Sequence, residues 1–214
     1  TPEGISSLDA DLVVDATGRR SRLPDWLERL GFERPSETRI DAHLKYATRI
    51  FRRPAGSRDW SALFIQAAPP AFTRMGLLFP IEGDRWMVTL QGVGSDQPPT
   101  SAAGFVEFAS SLRSPAIGDA ITAAEPLTDA VGWANTANLR HHYDRLATLP
   151  DRLLVVGDGA CCFNPVYGQG MSVAAKTAVA LDDELASRPR RAGLDGFAHR
   201  MQRIVAKTGD GAWM

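Results

Sequence analysis

Arg152-Leu153-Leu154-Val155-Val156-Gly157-Asp158-Gly159-Ala160-Cys161-Cys162-Phe163-Asn164-Pro165-Val166-Tyr167-Gly168-Gln169-Gly170-Met171 carries three signals in succession. Leu153 to Val156 is a short apolar run rich in β-branched residues, which suits a strand buried on both faces of a sheet. It stops at Gly157-Asp158, and a carboxylate at the carboxyl end of a buried parallel strand lies where open α/β sheets bind ligands. An ionised group there needs hydroxyl or amide donors, so Asp158 is a candidate ligand contact. The loop beyond holds Gly159, Asn164, Pro165, Gly168 and Gly170, residues that permit positive φ, fix a turn or let a backbone or ligand come close. From Met171 to about Leu185 the pattern becomes helical, with Val173, Ala174, Ala175, Ala178, Val179, Leu181 and Leu185 small or apolar and Lys176, Asp182, Asp183 and Glu184 mostly on another face. Gly168 and Gly170 then sit at the helix N-terminus, where free N–H groups and the macrodipole favour an anion or a polarised carbonyl. Strand, acid, glycine loop and helix start read as a cofactor cradle; the same residues also read as an ordinary strand–loop–helix unit whose glycines only shape turns.

The whole chain, 214 residues, is long enough for one large domain or two small ones. Its composition, 44% hydrophobic and 23% charged, is that of a globular protein. Lys and Arg number 24 against 25 Asp and Glu, a net charge of -1, so electrostatics gives no case for nucleic acid or anionic membrane as main partner. There is no apolar run of the roughly 20 residues a membrane span needs and no basic-then-apolar leader, which makes a cytoplasmic protein the expectation. The two cysteines, Cys161 and Cys162, are adjacent; neighbouring residues rarely bridge, so both are expected reduced and packed in the loop.

Outward from the central stretch, Thr1-Pro2-Glu3-Gly4 is turn-like and Asp11 to Gly18 reads as a strand ending in a small-residue turn. A short helix with Pro24 in its first turn follows, ending at Gly31. Arg19, Arg20 and Arg22 read as a solvated turn in preference to a phosphate contact. Strands are expected at Ile40–Phe51, Trp60–Ala67, Phe72–Ile81 and Trp86–Val93, separated by turns at Arg53–Ser57, Pro69-Pro70 and Glu82-Gly83-Asp84, which together make an antiparallel sheet. Trp60, Phe64, Phe72, Met75, Phe79 and Trp86 read as core in preference to pocket lining. Ser101 opens a helix with Phe105, Phe108 and Leu112 on one face; a second short helix spans Pro115–Ala123, and Leu127–Ala134 is a returning strand. His141 and His142, adjacent on a strand, point to opposite faces and make a poor metal pair; a wet or hydrogen-bonding role is expected instead, and no metal site is. After a basic turn at Ala186–Arg191, a closing helix over Leu194–Ala206 precedes a frayed Thr208–Ala212.

Gly157-Asp158-Gly159-Ala160, then Pro165, then Gly168-Gln169-Gly170-Met171, resembles the second flavin-contacting motif of the FAD-dependent, aromatic-hydroxylase-like monooxygenases. Val14-Asp15-Ala16-Thr17-Gly18-Arg19-Arg20-Ser21 resembles the segment of the same family that runs along the FAD, with Thr17 where that family usually has aspartate. The resemblance implies that Asp158 hydrogen-bonds the ribityl chain of FAD and that Pro165, Gly168 and Gly170 line the flavin ring and pyrophosphate side. Gly157, Gln169, Met171, Thr17 and Gly18 are the further cofactor-binding candidates it implies; it assigns no catalytic residue. Many members carry a histidine after the alanines, whereas this chain has Cys161.

The implied fold class is α/β (α+β): part of an FAD-binding Rossmann-like domain at 1–35 and 150–187, an antiparallel-sheet substrate domain at 36–149, and a C-terminal helix and tail at 188–214. The implied function is that of an FAD-dependent oxidoreductase hydroxylating a small or medium apolar substrate, with NADPH or NADH as the electron donor open to it; a polyprenyl reductase, a flavin halogenase and a cofactor-free binding domain are the alternatives. The dinucleotide fingerprint G-x-G-x-x-G is missing from these residues. The chain therefore matches the later two-thirds of a family member, a fragment is expected, and these 214 residues alone are expected to be inactive and to hold FAD weakly or not at all.

Overall fold

The computed structural model describes residues 7–56, 60–188 and 193–213. In chain order they form β1 (Val13–Asp15), α1 (Leu23–Arg29), β2 (Glu37–Ile40), β3 (Leu44–Arg52), β4 (Leu63–Ile65), β5 (Met75–Ile81) and β6 (Arg85–Val93). Then follow α2 (Ala102–Ser110), α3 (Ala116–Thr122), β7 (Val131–Trp133), β8 (Asn138–His141), β9 (Leu153–Val155), β10 (Cys161–Cys162), α4 (Gly170–Ala186) and α5 (Phe197–Trp213). The fold is mixed α/β, with one parallel and two antiparallel sheets. Two compact units result: Thr1–Ile40 with Ala137–Met214, and Asp41–Thr136. The turn expected at Thr1–Gly4, Ser57, and Pro189–Arg191 of the basic turn lie outside the described residues.

In the first unit β1 and β9, remote in sequence, lie parallel, although Val13 and Val14 of β1 are exposed and the buried apolar residues are Leu154 and Val155 of β9: Val13 faces Leu153, Val14 faces Leu154 and Asp15 faces Val155. The Arg152 carbonyl accepts the Val13 N–H at 2.8 Å, and the Asp15 carbonyl accepts the Val156 N–H at 3.0 Å. So short a pair is not stable by itself. Its support is a core of Leu23 and Leu27 from α1, Tyr143, Leu146 and Leu149 from the connection, and Phe197, Met201 and Val205 from α5, closed around Leu154 and Val155. Gln202, buried on α5, donates from Nε2 to the Val155 carbonyl at 3.1 Å, tying the helix to the strand. A second sheet, in the order β10-β8-β2, is antiparallel.

Two expectations change here. The strand predicted from Ile40 to Phe51 is interrupted: His43 takes φ +53 with its N–H on the Asp41 carboxylate, and the residues before the break pair with β8. The tail predicted to fray at Thr208–Ala212 is helical, because α5 continues to Trp213. The Trp213 ring meets Phe163 edge-on at 6.2 Å, and Asp210 receives Arg140 at 2.7 Å, so the last turns have partners that local sequence does not reveal.

The second unit is a five-stranded antiparallel sheet in the order β4-β5-β6-β3-β7. Its period-two pattern splits the side chains between faces. Ala47, Phe51, Ile65, Leu78, Trp86, Val88 and Leu90 face α2 and α3, whose Phe105, Phe108, Ile117 and Ile121 complete the core. The opposite face bears the cross-strand row Phe64, Leu77, Thr89, Thr48 and Val131, in which the Thr48 and Thr89 hydroxyls hydrogen-bond at 2.8 Å. Of the aromatics expected in the core, Trp86 is there, while Phe64, Phe72 and Phe79 are exposed, because strand alternation turns Phe64 and Phe79 away from the helices.

The two faces make opposite predictions. Leu90→Ala empties a fully buried site in the central strand and is expected to lower unfolding free energy by about 2–5 kcal/mol, whereas Phe64→Ala on the open face should change it by no more than about 0.5 kcal/mol. Urea unfolding of the two variants beside the parent measures the difference.

Candidate functional site

Because β1 and β9 run parallel, their carboxyl ends lie together and the turns leaving them face the same space. β9 ends at Val155 and the chain makes a 3-10 turn over Gly157–Gly159, then a second over Pro165–Tyr167. Gly157 (φ +59) and Gly168 (φ +62) are left-handed, conformations that cost a side chain 1–2 kcal/mol or so, which explains glycine at both corners. Asn164 caps the second turn, its Oδ1 accepting the Val166 N–H at 3.0 Å. Gly168 then delivers the chain into α4, a helix of 17 residues whose first-turn N–H groups have no intrahelical acceptor.

These turns enclose a cavity of about 640 Å³, within the range of small-molecule sites. Gly157, Asp158 and Pro165 line it, followed by Gly168, Gln169, Gly170 and Met171 at the start of α4. Gly18 joins them from the turn after β1. Thr17 is not in the lining: its N–H and hydroxyl are both committed to Asp15 Oδ1, at 2.9 and 2.6 Å. The Asp158 carboxylate faces the helix start, with Oδ1 3.8 Å from where a Cβ on Gly170 would stand. The rest of the wall is Asn164 and an apolar set: Ala16, Val156, Phe163 and, along one face of α4, Ala174, Ala178 and Leu181. Reasoning from sequence noticed those α4 residues only as helix pattern; their i, i+4, i+7 spacing was the signal that they share a face. The arrangement offers an acceptor for hydroxyl groups, a positive helix end for an anion or carbonyl, and an apolar wall for a flat ring.

Around the cavity, buried polar groups are held by specific partners. Burial pushes the Asp15 pKa up, but the hydroxyls of Ser21 and Thr17 and the Thr17 N–H outweigh it and leave the carboxyl below the ordinary range. Arg19, expected in a solvated turn, is half-buried instead, its Nη1 donating to Cys162 Sγ at 3.1 Å, because the turn folds back on the β9 loop. His142, expected wet or hydrogen-bonded, is buried with Nε2 2.7 Å from the Thr38 hydroxyl, and burial lowers its pKa, with Arg145 and Arg140 adding to the effect. His141 lies 4.0 Å from Glu37, and burial is again the main cause of its lowered pKa. Among the described residues no cluster of His, Cys, Asp and Glu has metal-binding geometry, and no helix is long and apolar enough to cross a membrane.

The FAD binding domain family matches residues 1–210. Protein Rv3254 of Mycobacterium tuberculosis is 32% identical over 206 residues, which cover 96% of this chain and 43% of that protein. The chain therefore spans less than half the length of this relative. Among solved structures, CmlS, a flavin-dependent halogenase, is similar at a TM-score of 0.63 and 18% identity, covering 92% of this chain and 34% of that one. Klebsiella pneumoniae HpxO, solved with FAD and uric acid, is similar at a TM-score of 0.62 and 19% identity, covering 95% and 51%. At such identities the likeness is one of fold.

The cysteines yield a direct test. Burial pushes the Cys161 thiol up to about 12 and raises Cys162 as well, with the Asp158 carboxylate adding to the rise. Thiolate is the reactive form, so at neutral pH both should resist a colorimetric thiol reagent in the folded protein and react fully once it is unfolded in urea. Stoichiometric reaction of the native protein within minutes would contradict the burial.

Proposed function

The chain belongs to the FAD binding domain family, and from that premise we propose that the cavity beside β9 and α4 holds the cofactor of an FAD-dependent oxidoreductase, a monooxygenase hydroxylating a small or medium apolar substrate. The observation that carries this is the placement of Asp158 against the N-terminus of a 17-residue helix, on a cavity with an apolar flank of Ala16, Val156, Phe163, Ala174, Ala178 and Leu181. The residues present fit the group: FAD has ribityl hydroxyls to donate, a pyrophosphate anion, and a flat ring system. Asp158 accepts hydroxyl hydrogens. Gly168 and Gly170 open the backbone N–H groups of the helix start to an anion or polarised carbonyl, since no Cβ stands before them. Gly157, Pro165, Gln169 and Met171 shape the rim, Gly18 and Ala16 close the β1 side, and Val156, Phe163, Ala174, Ala178 and Leu181 exclude water from the flat portion. Thr17 acts indirectly, by holding its turn to Asp15.

When bound, FAD supplies the redox chemistry, drawing electrons from NADPH or NADH and delivering them to oxygen. For the substrate we propose the open sheet face of the second unit, where Phe64, Phe79, Val131 and Trp133 are exposed around the Thr48–Thr89 hydroxyl pair. Such a face suits an apolar or aromatic molecule with one polar group. The FAD-binding role is proposed for 1–35 and 150–187 and the substrate role for 36–149. Flavin-dependent halogenation is the second reading; similarity to CmlS and to HpxO is at nearly the same TM-score, so fold does not separate the two. Mass spectrometry of products from the full-length protein, run aerobically with reductant and bromide, separates them: one added oxygen supports hydroxylation, a bromine isotope doublet supports halogenation.

Asp158→Ala tests the site. Removing the acceptor leaves flavin hydroxyls unpaired in a dry site, at a cost of about 1.5–3 kcal/mol, or roughly ten- to a hundredfold in FAD affinity. The apo protein should keep its melting temperature, because Asp158 is exposed and outside the core. If Asp158 only caps a turn, flavin affinity stays and thermal stability falls by about 1 kcal/mol. Titration of FAD and apo melting on one variant decide between these outcomes.

A further inference from the structure

Asp15 does not line the cavity, yet its side chain is buried and bonded at both oxygens. Oδ1 accepts from the Thr17 N–H at 2.9 Å and from the Thr17 hydroxyl at 2.6 Å, and Oδ2 accepts from the Ser21 hydroxyl. Ser21 Oγ in turn accepts the N–H of Leu23, the first residue of α1, at 3.1 Å. One carboxylate therefore closes the whole turn between β1 and α1, and that turn carries Ala16 and Gly18, which form one side of the cavity.

The same turn is pressed onto the loop after β9. A Cβ on Gly159 would stand 3.6 Å from the Gly18 carbonyl oxygen and 3.6 Å from Ser21 Cβ. Arg19 Nη1 donates to Cys162 Sγ at 3.1 Å, and the Asp15 carbonyl holds the Val156 N–H at 3.0 Å. Asp158 thus lies on a short loop fastened through Val156 on one side and Cys162 on the other, both to the turn that Asp15 closes. We propose that Asp15 is a positioning residue for the flavin cavity: its carboxylate locks the Ala16–Ser21 turn against the Gly157–Cys162 loop and so sets where Asp158 is presented.

A carboxylate fits this donor set without rearrangement. Three N–H and O–H groups converge on two acceptor oxygens, whereas an amide keeps one acceptor oxygen and its NH₂ meets Ser21 Oγ only when that hydroxyl turns its hydrogen away and loses this acceptor. A buried donor left unpaired is expensive, so the turn is expected to open when the second oxygen is lost.

The inference rests on the reading of the cavity as an FAD site, and the experiment separates the two. Asp15→Asn, Ser21→Ala and a control core truncation, Leu149→Ala, are made in the full-length protein. Each is measured for FAD dissociation constant, visible circular dichroism of bound flavin, apo melting temperature, and amide hydrogen exchange of the apo form. Asp15→Asn should weaken FAD about tenfold or more and change the flavin dichroism, Ser21→Ala should do so less, and exchange should rise in 157–162 as well as in 16–22. Leu149→Ala, buried in the same core, should lower melting without altering flavin affinity or dichroism. FAD affinity unchanged in Asp15→Asn, or reduced no more than in Leu149→Ala, overturns the proposal, as does faster exchange confined to 16–22. If the parent binds no FAD, the cofactor reading fails, and exchange in 157–162 alone decides Asp15: faster supports positioning, unchanged refutes it.

Discussion

The parallel pairing of β1 with β9 is the contact on which the cavity depends. Parallel strands end at the same edge of their sheet, so the turn after Asp15 and the loop after Val155 must share one space, whatever their separation in the chain. An antiparallel pairing of the same two runs would send those turns to opposite ends and leave Gly18 and Asp158 without a common wall. Three residue pairs give little stability alone; burial of Leu154 and Val155 against α1 and α5, with Gln202 on the Val155 carbonyl, keeps the pairing in register.

The second unit answers a different constraint. Its strands pair antiparallel, so each can cover a helix-packed core on one face and leave the other open. Leu78, Val88 and Leu90 go one way and Phe64, Phe79 and Met87 the other, by period two. What remains unusual is the apolar character of the open face, where solvated sheets carry polar side chains. Exposed aromatics there surround a bonded threonine pair.

Charge burial is the third theme. Asp15 remains ionised out of water because three donors converge on it, while the buried thiols of Cys161 and Cys162 stay protonated because nothing near them repays the cost of a thiolate. Arg19 lends Cys162 one hydrogen bond, which opposes the rise without reversing it. The loop that carries Asp158 is thus neutral within and charged only at its rim, which suits a ligand that must be both held by polar groups and kept dry.

Much of this was legible in the chain itself. Leu153 to Val156 announced a buried strand by composition, Gly168 announced a corner because only glycine enters left-handed backbone cheaply, and Met171 to Leu185 announced α4 by its period. Those signals are local, set by sterics and by which side chains must leave water within a few residues. Tertiary structure alone decided the rest, because it turns on partners remote in the chain. The break at His43 hands Glu37–Ile40 to β8, the end of α5 is helical because Phe163 and Arg140 receive Trp213 and Asp210, and Arg19 is half-buried because Cys162 lies opposite. Asp15 reads in sequence as one more acid at a strand end; only the fold, by bringing Thr17, Ser21 and the β9 loop around it, makes that carboxylate the fastening of the cavity wall.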